Sequence, residues 1–218
     1  MKDIDKALKR YQVDEKHTVR MLDDPKEQAL FYCMERLSEQ YAIKFFSLLF
    51  GRDIGNVESN LPLVFVNKYD MIWEHLSGGE YVLGQNRASS AFEKNYIIRI
   101  VLPVRSERAY LHKSLKNTIR HELIHYYLYL HDLPYRDNDG LFWAYCFIYD
   151  AGAYMPMNET DKEKYDRFVD ICEKYGDDAS YNDLQTLAEA IMLDDGDKLA
   201  EFNMMIEWRK QLAATWNK

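Results

Sequence analysis

The most chemically informative part of the chain is segment 118–125, which reads TIRHELIH. It contains a His-Glu-x-x-His pattern in which His121 and His125 lie one helical turn apart. Positions i and i+4 differ by about 40° around a helix, so both imidazoles point to one side. Two neutral imidazole nitrogens can share a Zn²⁺ ion at about 2.0–2.1 Å. The spacing therefore predicts that His121 and His125 bind zinc.

Glu122 lies on the flank of the same helical face. A carboxylate in this position can hold a zinc-bound water and accept its proton, and it does not bind the metal itself. Zinc lowers the pKa of its bound water toward about 7, which makes hydroxide available at neutral pH. We therefore expect Glu122 to act as a general base. The opposing interpretation is a solvated helix face that carries two unrelated histidines.

A long amphipathic helix is predicted upstream, beginning at Asp24-Pro25 and ending at Gly51. Its apolar positions recur at steps of three and four and are expected to form one buried stripe: Leu30, Met34, Leu37, Tyr41, Phe45 and Leu48.

Apolar runs and turn residues predict the elements on either side of the motif. Strands are expected at 61–66, 80–84 and 96–102, forming a small sheet of three or four strands between helices. The motif helix should end at Leu130, because Asp132 and Pro134 follow it. The later helices are predicted at about 140–153 and, as two or three amphipathic helices, within 158–218.

The composition predicts a globular protein in the cytoplasm. Of its 218 residues, 47% are apolar, which is enough to bury a core and excludes a disordered chain. No run of about 18 apolar residues occurs, so no membrane partner is expected, and the charged first residues predict no secretory signal. The cysteines lie far apart and are expected to be reduced thiols: Cys33, Cys146 and Cys172.

Charge is distributed unevenly along the chain. The net charge of −8 argues against a protein that coats nucleic acid non-specifically. Residues 83–120 nevertheless contain eight basic and two acidic residues, whereas residues 156–218 contain fifteen acidic and eight basic ones. The basic region 83–120 is therefore a candidate for weak DNA contact, and a solvated face is the alternative.

A wider pattern surrounds the motif. The segment that begins at His121 reads HELIHYYLYL and is followed by an Asp-Gly pair and an aromatic helix. Upstream, residues 83–87 read LGQNR and residues 98–103 read IRIVLP. Over about residues 25–153 the chain resembles the SprT-like family of zinc metalloproteases, which includes the Spartan-type DNA–protein crosslink proteases.

The resemblance implies an α+β fold with a minimal zincin-like core. The order of that core is a helix, a small three- or four-stranded sheet, the HExxH helix and a ligand helix, and a helical C-terminal extension follows it. We therefore predict a polar N-terminal segment over 1–24, an SprT-like domain over 25–156 and an acidic helical extension over 157–218.

The family places a third histidine just before or within the ligand helix, and residues 135–142 contain none. Alignment on Tyr135 puts Asp137 at the ligand position, and a carboxylate oxygen is an acceptable zinc ligand. The resemblance thus implies that His121, His125 and Asp137 bind Zn²⁺.

Other assignments of the third ligand stay open. Alignment on the following Asp-Gly pair puts Leu141 at the ligand position, which cannot bind zinc, and leaves Asp139 as a candidate. His131 has the metzincin spacing from His121, but Leu128 occupies the position where metzincins carry a helix-breaking glycine. A weakened or absent metal site is the last alternative.

The activity implied is that of a zinc-dependent metallopeptidase acting on a protein or peptide substrate, with Glu122 as the catalytic base. Candidate donors to the oxyanion are Tyr126, Tyr127 and Tyr135, and more weakly Arg136. The main alternative is a catalytically inactive SprT-like module that acts in protein or DNA interaction. A non-peptidase metal hydrolase and an unrelated helical fold are the remaining ones.

Overall fold

A computed structural model describes residues 25–51, 61, 63–67, 84–88, 96–102, 113–175 and 179–216. The chain forms two compact units, residues 1–126 and 127–218. The predicted N-terminal segment 1–24 and most of the strand predicted at 80–84 lie outside the described residues. The division into 1–24, 25–156 and 157–218 stays a prediction.

The described part of the first unit contains helix α1 (Pro25–Leu49), strands β1 (Leu63–Asn67), β2 (Gly84–Ala88) and β3 (Tyr96–Leu102), and most of helix α2 (Lys113–Leu130). β3 lies in the middle of a small sheet, parallel to β1 and antiparallel to β2. Its alternate residues Ile98, Ile100 and Leu102 are fully buried, the period of two that a half-buried strand requires.

Helix α1 buries a different face from the one the apolar stripe predicted. Leu37 and Leu48 are 38% and 39% exposed, whereas Ser38 and Ala42 are fully buried. Small side chains let a helix backbone approach its neighbours closely, and α1 contacts β1 and β3. The predicted stripe was wrong in part: Met34 and Phe45 are buried as expected, but the buried face is rotated away from Leu37 and Leu48.

The second unit contains helix α3 (Gly140–Ile148), a 3₁₀ turn (Glu159–Asp161), α4 (Lys162–Tyr175), α5 (Tyr181–Met192) and α6 (Gly196–Trp216). Helix α5 packs against α3, α4 and α6. The three C-terminal helices confirm the prediction for 158–218, whereas α3 ends five residues before the predicted end near 153. Among the described residues, no helix is both long and apolar enough to cross a membrane.

Polar contacts stabilise the start of helix α5 and join this helix to α6 and α3. Helix α5 begins with a capping box in which Ser180 and Asp183 bond each other reciprocally, and Arg209 of α6 forms an ion pair with Asp183 at 2.5 Å. Tyr145 of α3 donates a hydrogen bond to Glu189 of α5 at 2.8 Å. Burial, followed by the charge of Glu189, raises the pKa of Tyr145 well above its usual value, so the phenol keeps the proton it donates.

The predicted α+β class with a zincin-like core is wrong for the part of the chain that the structure describes. Helices of 25, 18, 9, 14, 12 and 21 residues far outweigh strands of five, five and seven residues. The physical reason is that the helices from α3 onward bury their apolar faces against one another, so a sheet is not the framework of the fold. The described part of the chain is predominantly helical, and its strands form a minor element.

Helix α2 ends at Leu130 in a Schellman motif. The N–H of Leu133 donates to the C=O of Leu128, and the N–H of Asp132 donates to the C=O of Tyr129. Asp132 has φ 56°, in the left-handed region that favours glycine. Two other helices end with an aspartate in the same conformation: α3 at Asp150 and α5 at Asp194.

Replacing Asp132 with glycine is expected to raise the free energy of unfolding by about 0.5–1 kcal/mol. The substitution removes left-handed strain and a negative charge from a helix C-terminus, and the exposed side chain of Asp132 contributes little packing. Urea denaturation of the metal-free protein measures the change. Asp132→Ala is the matched control and should not stabilise. A glycine variant no more stable than the wild type would contradict this account of the turn.

Candidate metal centre

Helix α2 buries the HExxH motif. His121, Glu122 and His125 are 6%, 5% and 5% exposed, and the intervening Leu123 and Ile124 are fully buried. A solvated helix face is therefore not what this segment forms. The helix has no acidic residue in its first turn and no basic residue in its last, so tertiary packing, rather than charges placed to favour the helix dipole, stabilises it.

The two histidines converge on one point. Their Nε2 atoms lie 3.1 Å apart, and their rings are nearly perpendicular, with centroids 4.7 Å apart. A hydrogen bond between two ring nitrogens needs one donor and one acceptor, so at least one ring is neutral in this arrangement. Two nitrogens bound tetrahedrally to one zinc ion lie about 3.3 Å apart. The observed separation is within a few tenths of an ångström of that value.

Asp137 is grouped with the two histidines as a possible metal ligand. One ligand atom from each of His121, His125 and Asp137 lies within 4.8 Å of the other two. Zinc commonly takes two imidazoles and one carboxylate from the protein and leaves a fourth position for water. The donor set is therefore one that zinc takes, and the 3.1 Å separation of the two imidazole nitrogens is the part of the spacing that fits it.

The alternative ligands lie elsewhere. Asp139 is not in this group, and its Oδ2 accepts a hydrogen bond from the N–H of Arg136 at 2.8 Å. His131 is exposed, and its ring packs on that of Tyr127 with centroids 4.5 Å apart. Among the described residues, no other His, Cys, Asp or Glu is grouped with these two histidines as a possible metal ligand.

The tyrosines suggested as oxyanion donors have packing partners. Tyr126 stacks on Phe46 at 5.5 Å between centroids, and Tyr135 meets Tyr129 edge-on at the same distance. Tyr127 packs near Tyr145, and burial, then the charge of Glu189, raises its pKa. An oxyanion role for any of them stays a prediction, as does one for Arg136.

Part of the basic region 83–120 faces helix α1. Arg120 donates from Nε to the hydroxyl of Tyr41 at 2.5 Å, and the ammonium of Lys116 lies 5.7 Å from the centre of the same ring. Other basic residues of the region fall at 89–95 and 103–112, outside the described residues. Weak DNA contact therefore stays a prediction.

Sequence reasoning missed three residues around Asp137. Trp143 donates from its indole nitrogen to the backbone C=O of Asp137 at 3.0 Å. Asn158 and Asp161, about twenty residues further along the chain, bond to the loop that carries Asp137. No local pattern links such distant positions, so only the fold reveals them.

The chain matches no protein-family model, no curated protein and no solved structure. The resemblance to the SprT-like family therefore rests on the motif and the segments around it. This resemblance stays a prediction. The observed spacing of His121 and His125 does not depend on it.

Asp137→Ala is expected to lower zinc affinity by at least about 100-fold, because it removes a directly coordinating oxygen. His131→Ala and Asp166→Ala, both at exposed positions, are the matched controls and should stay within about tenfold of the wild type. Competition with a chromophoric zinc chelator measures all three affinities. An unchanged affinity in Asp137→Ala would remove Asp137 from the site.

Proposed function

We propose that this chain is a zinc-dependent metallopeptidase in which His121, His125 and Asp137 hold the ion. The observation that carries the proposal is the 3.1 Å separation of the two buried Nε2 atoms. A carboxylate oxygen lies within 4.8 Å of the histidine ligand atoms. Two imidazoles and one carboxylate are a ligand set typical of catalytic zinc in proteases. The proposal rests on this site and on the HExxH motif, independently of the fold class.

Glu122 is the proposed general base. Zinc bound at the site would supply a water of lowered pKa and would polarise the carbonyl of the scissile peptide bond. Glu122 accepts the proton of the attacking water and then delivers it to the leaving amine. Its position next to His121 on the same helix, with a side chain only 5% exposed, supports this role because burial limits competing hydration.

The proposed substrate is a protein or peptide, and the proposed compartment is the cytoplasm. All three cysteines are free thiols, one exposed and two buried. Burial raises the pKa of Cys172 to about 12, which makes this thiol unreactive. Free thiols are the form that a reducing compartment maintains.

Glu122→Gln is expected to keep the fold and bound zinc and to lower cleavage of a denatured protein substrate by at least about 100-fold, since a general base contributes 10²–10⁴ in rate. Glu201→Gln on the exposed face of α6 is the matched control and should cleave at the wild-type rate. Metal content by mass spectrometry, circular dichroism and a gel-based cleavage assay supply the three readouts.

Two outcomes would overturn the proposal. Cleavage by Glu122→Gln at the wild-type rate would show that the activity does not come from this site. A wild-type protein that is folded but binds no zinc would favour the catalytically inactive module that acts in protein or DNA interaction.

A further inference from the structure

The loop that carries Asp137, residues 136–140 (the ligand loop), is closed on itself by two hydrogen bonds. The N–H of Arg136 donates to Oδ2 of Asp139 at 2.8 Å, and the N–H of Asp139 donates to the C=O of Arg136 at 3.0 Å. These bonds make a compact turn. They do not fix where the turn lies relative to the rest of its unit.

A second segment, residues 158–161 (the 158–161 turn), supplies that anchorage. Asn158 donates from its N–H to the C=O of Asn138 at 2.9 Å, and the amide nitrogen of Asn138 donates to Oδ1 of Asn158 at 2.8 Å. Asp161 accepts the N–H of Gly140 at 2.8 Å through Oδ2. Three hydrogen bonds therefore tie the two residues that flank Asp139 to a segment about twenty positions away.

Gly140 makes the contact with Asp161 possible. A Cβ atom at position 140 would lie 2.6 Å from Cβ of Asp161 and 2.2 Å from Cε of Met192. Both distances are too short for carbon atoms that are not bonded, so only glycine permits this approach. The start of α3 and the 158–161 turn are thus packed directly against each other.

Trp143 holds Asp137 itself. Its indole N–H donates to the backbone C=O of Asp137 at 3.0 Å, and its ring meets Tyr165 edge-on with centroids 5.9 Å apart. The bond engages the backbone oxygen of Asp137 and not its carboxylate. Asp137 is therefore fixed through its backbone, and its neighbours are fixed through the 158–161 turn.

We infer that Trp143, Asn158 and Asp161 are positioning residues of the metal centre and that they act through Asp137. This inference rests on the proposed function, because it assumes that Asp137 coordinates zinc. A ligand on a free loop must lose conformational entropy when the metal binds, which weakens binding. The hydrogen bonds to the ligand loop order it before binding, as outer-shell partners do in other zinc sites.

Two pairs of matched variants test the inference. Trp143→Phe keeps an aromatic ring but removes the indole donor, and Trp208→Phe makes the same change at an exposed position of α6. Asp161→Ala removes the acceptor of the Gly140 N–H, and Asp166→Ala makes the same change one turn further, at a residue paired with Lys162 on the surface. Zinc affinity is measured by chelator competition. Circular dichroism and thermal unfolding of the metal-free proteins confirm that each is folded.

The same variants are then made in the Asp137→Ala background. We expect Trp143→Phe and Asp161→Ala each to lower zinc affinity about tenfold in the otherwise wild-type chain. The Trp208 and Asp166 controls should leave the affinity unchanged. With Asp137 replaced, neither positioning variant should lower the affinity further, because the residue through which it acts is missing. In that background zinc is held by His121 and His125 alone, so a chelator with a lower affinity for zinc is used for the competition.

The outcomes separate this inference from the proposed function. If the wild type binds zinc and both positioning variants bind it equally well, the inference fails while the proposed function stands. An equal fall in both backgrounds also overturns it, since the effect would then be general destabilisation. If the wild type binds no zinc, the proposed function fails and the inference fails with it. If Asp161→Ala does not fold, the zinc affinity of the more conservative variant Trp143→Phe decides whether the inference holds.

Discussion

Two imidazole nitrogens 3.1 Å apart on one turn of a buried helix are the constraint on which the rest of the site depends. Such a pair is stable only when something lies between the nitrogens, because two facing N–H donors repel each other and so do two facing lone pairs. A proton in a hydrogen bond between the two rings meets this requirement. A divalent cation bound by the lone pairs of both nitrogens meets it as well. The arrangement therefore suits either a hydrogen bond between the two rings or a cation bound by both.

Keeping that arrangement requires rigidity from the surroundings. Burial of Leu123 and Ile124 between the two histidines fixes the rotation of helix α2, and the helix period then fixes both rings. Beyond the helix, a left-handed Asp132 ends α2 sharply and starts the segment that leads to Asp137. Hydrogen bonds from Trp143 and the 158–161 turn then hold the ligand loop. Local backbone rules and a few long-range bonds thus act on the three residues that we propose as ligands.

The motif could be predicted from sequence because it is local: helix geometry alone places His121 and His125 on one side of the helix. Asp137 required a family resemblance, since where a loop returns depends on packing that no short pattern encodes. The same limit applies to Trp143, Asn158 and Asp161, whose bonds span 6 to about 20 positions.

The fold class was wrong for a related reason. The β-branched run at 96–102 does form a strand, but the resemblance implied a sheet as the framework of the fold, whereas the C-terminal helices pack against one another. On α1, the predicted stripe missed the small buried residues Ser38 and Ala42 as well as the large buried residues Phe31, Phe46 and Leu49. The spacing of apolar residues predicted where the helices lie. It did not predict which face is buried, because that depends on how closely each helix packs against its neighbours.

X-ray absorption spectroscopy at the zinc edge of the zinc-loaded protein tests the central claim most directly. The account predicts a first shell of nitrogen and oxygen at about 2.0–2.1 Å, with outer-shell scattering from two imidazoles and no sulfur at about 2.3 Å. Two results would contradict the account: a hydrated ion without imidazole scattering, or a sulfur ligand such as Cys146. Burial, followed by the charge of Asp137, raises the pKa of Cys146, so its thiol is expected to stay protonated.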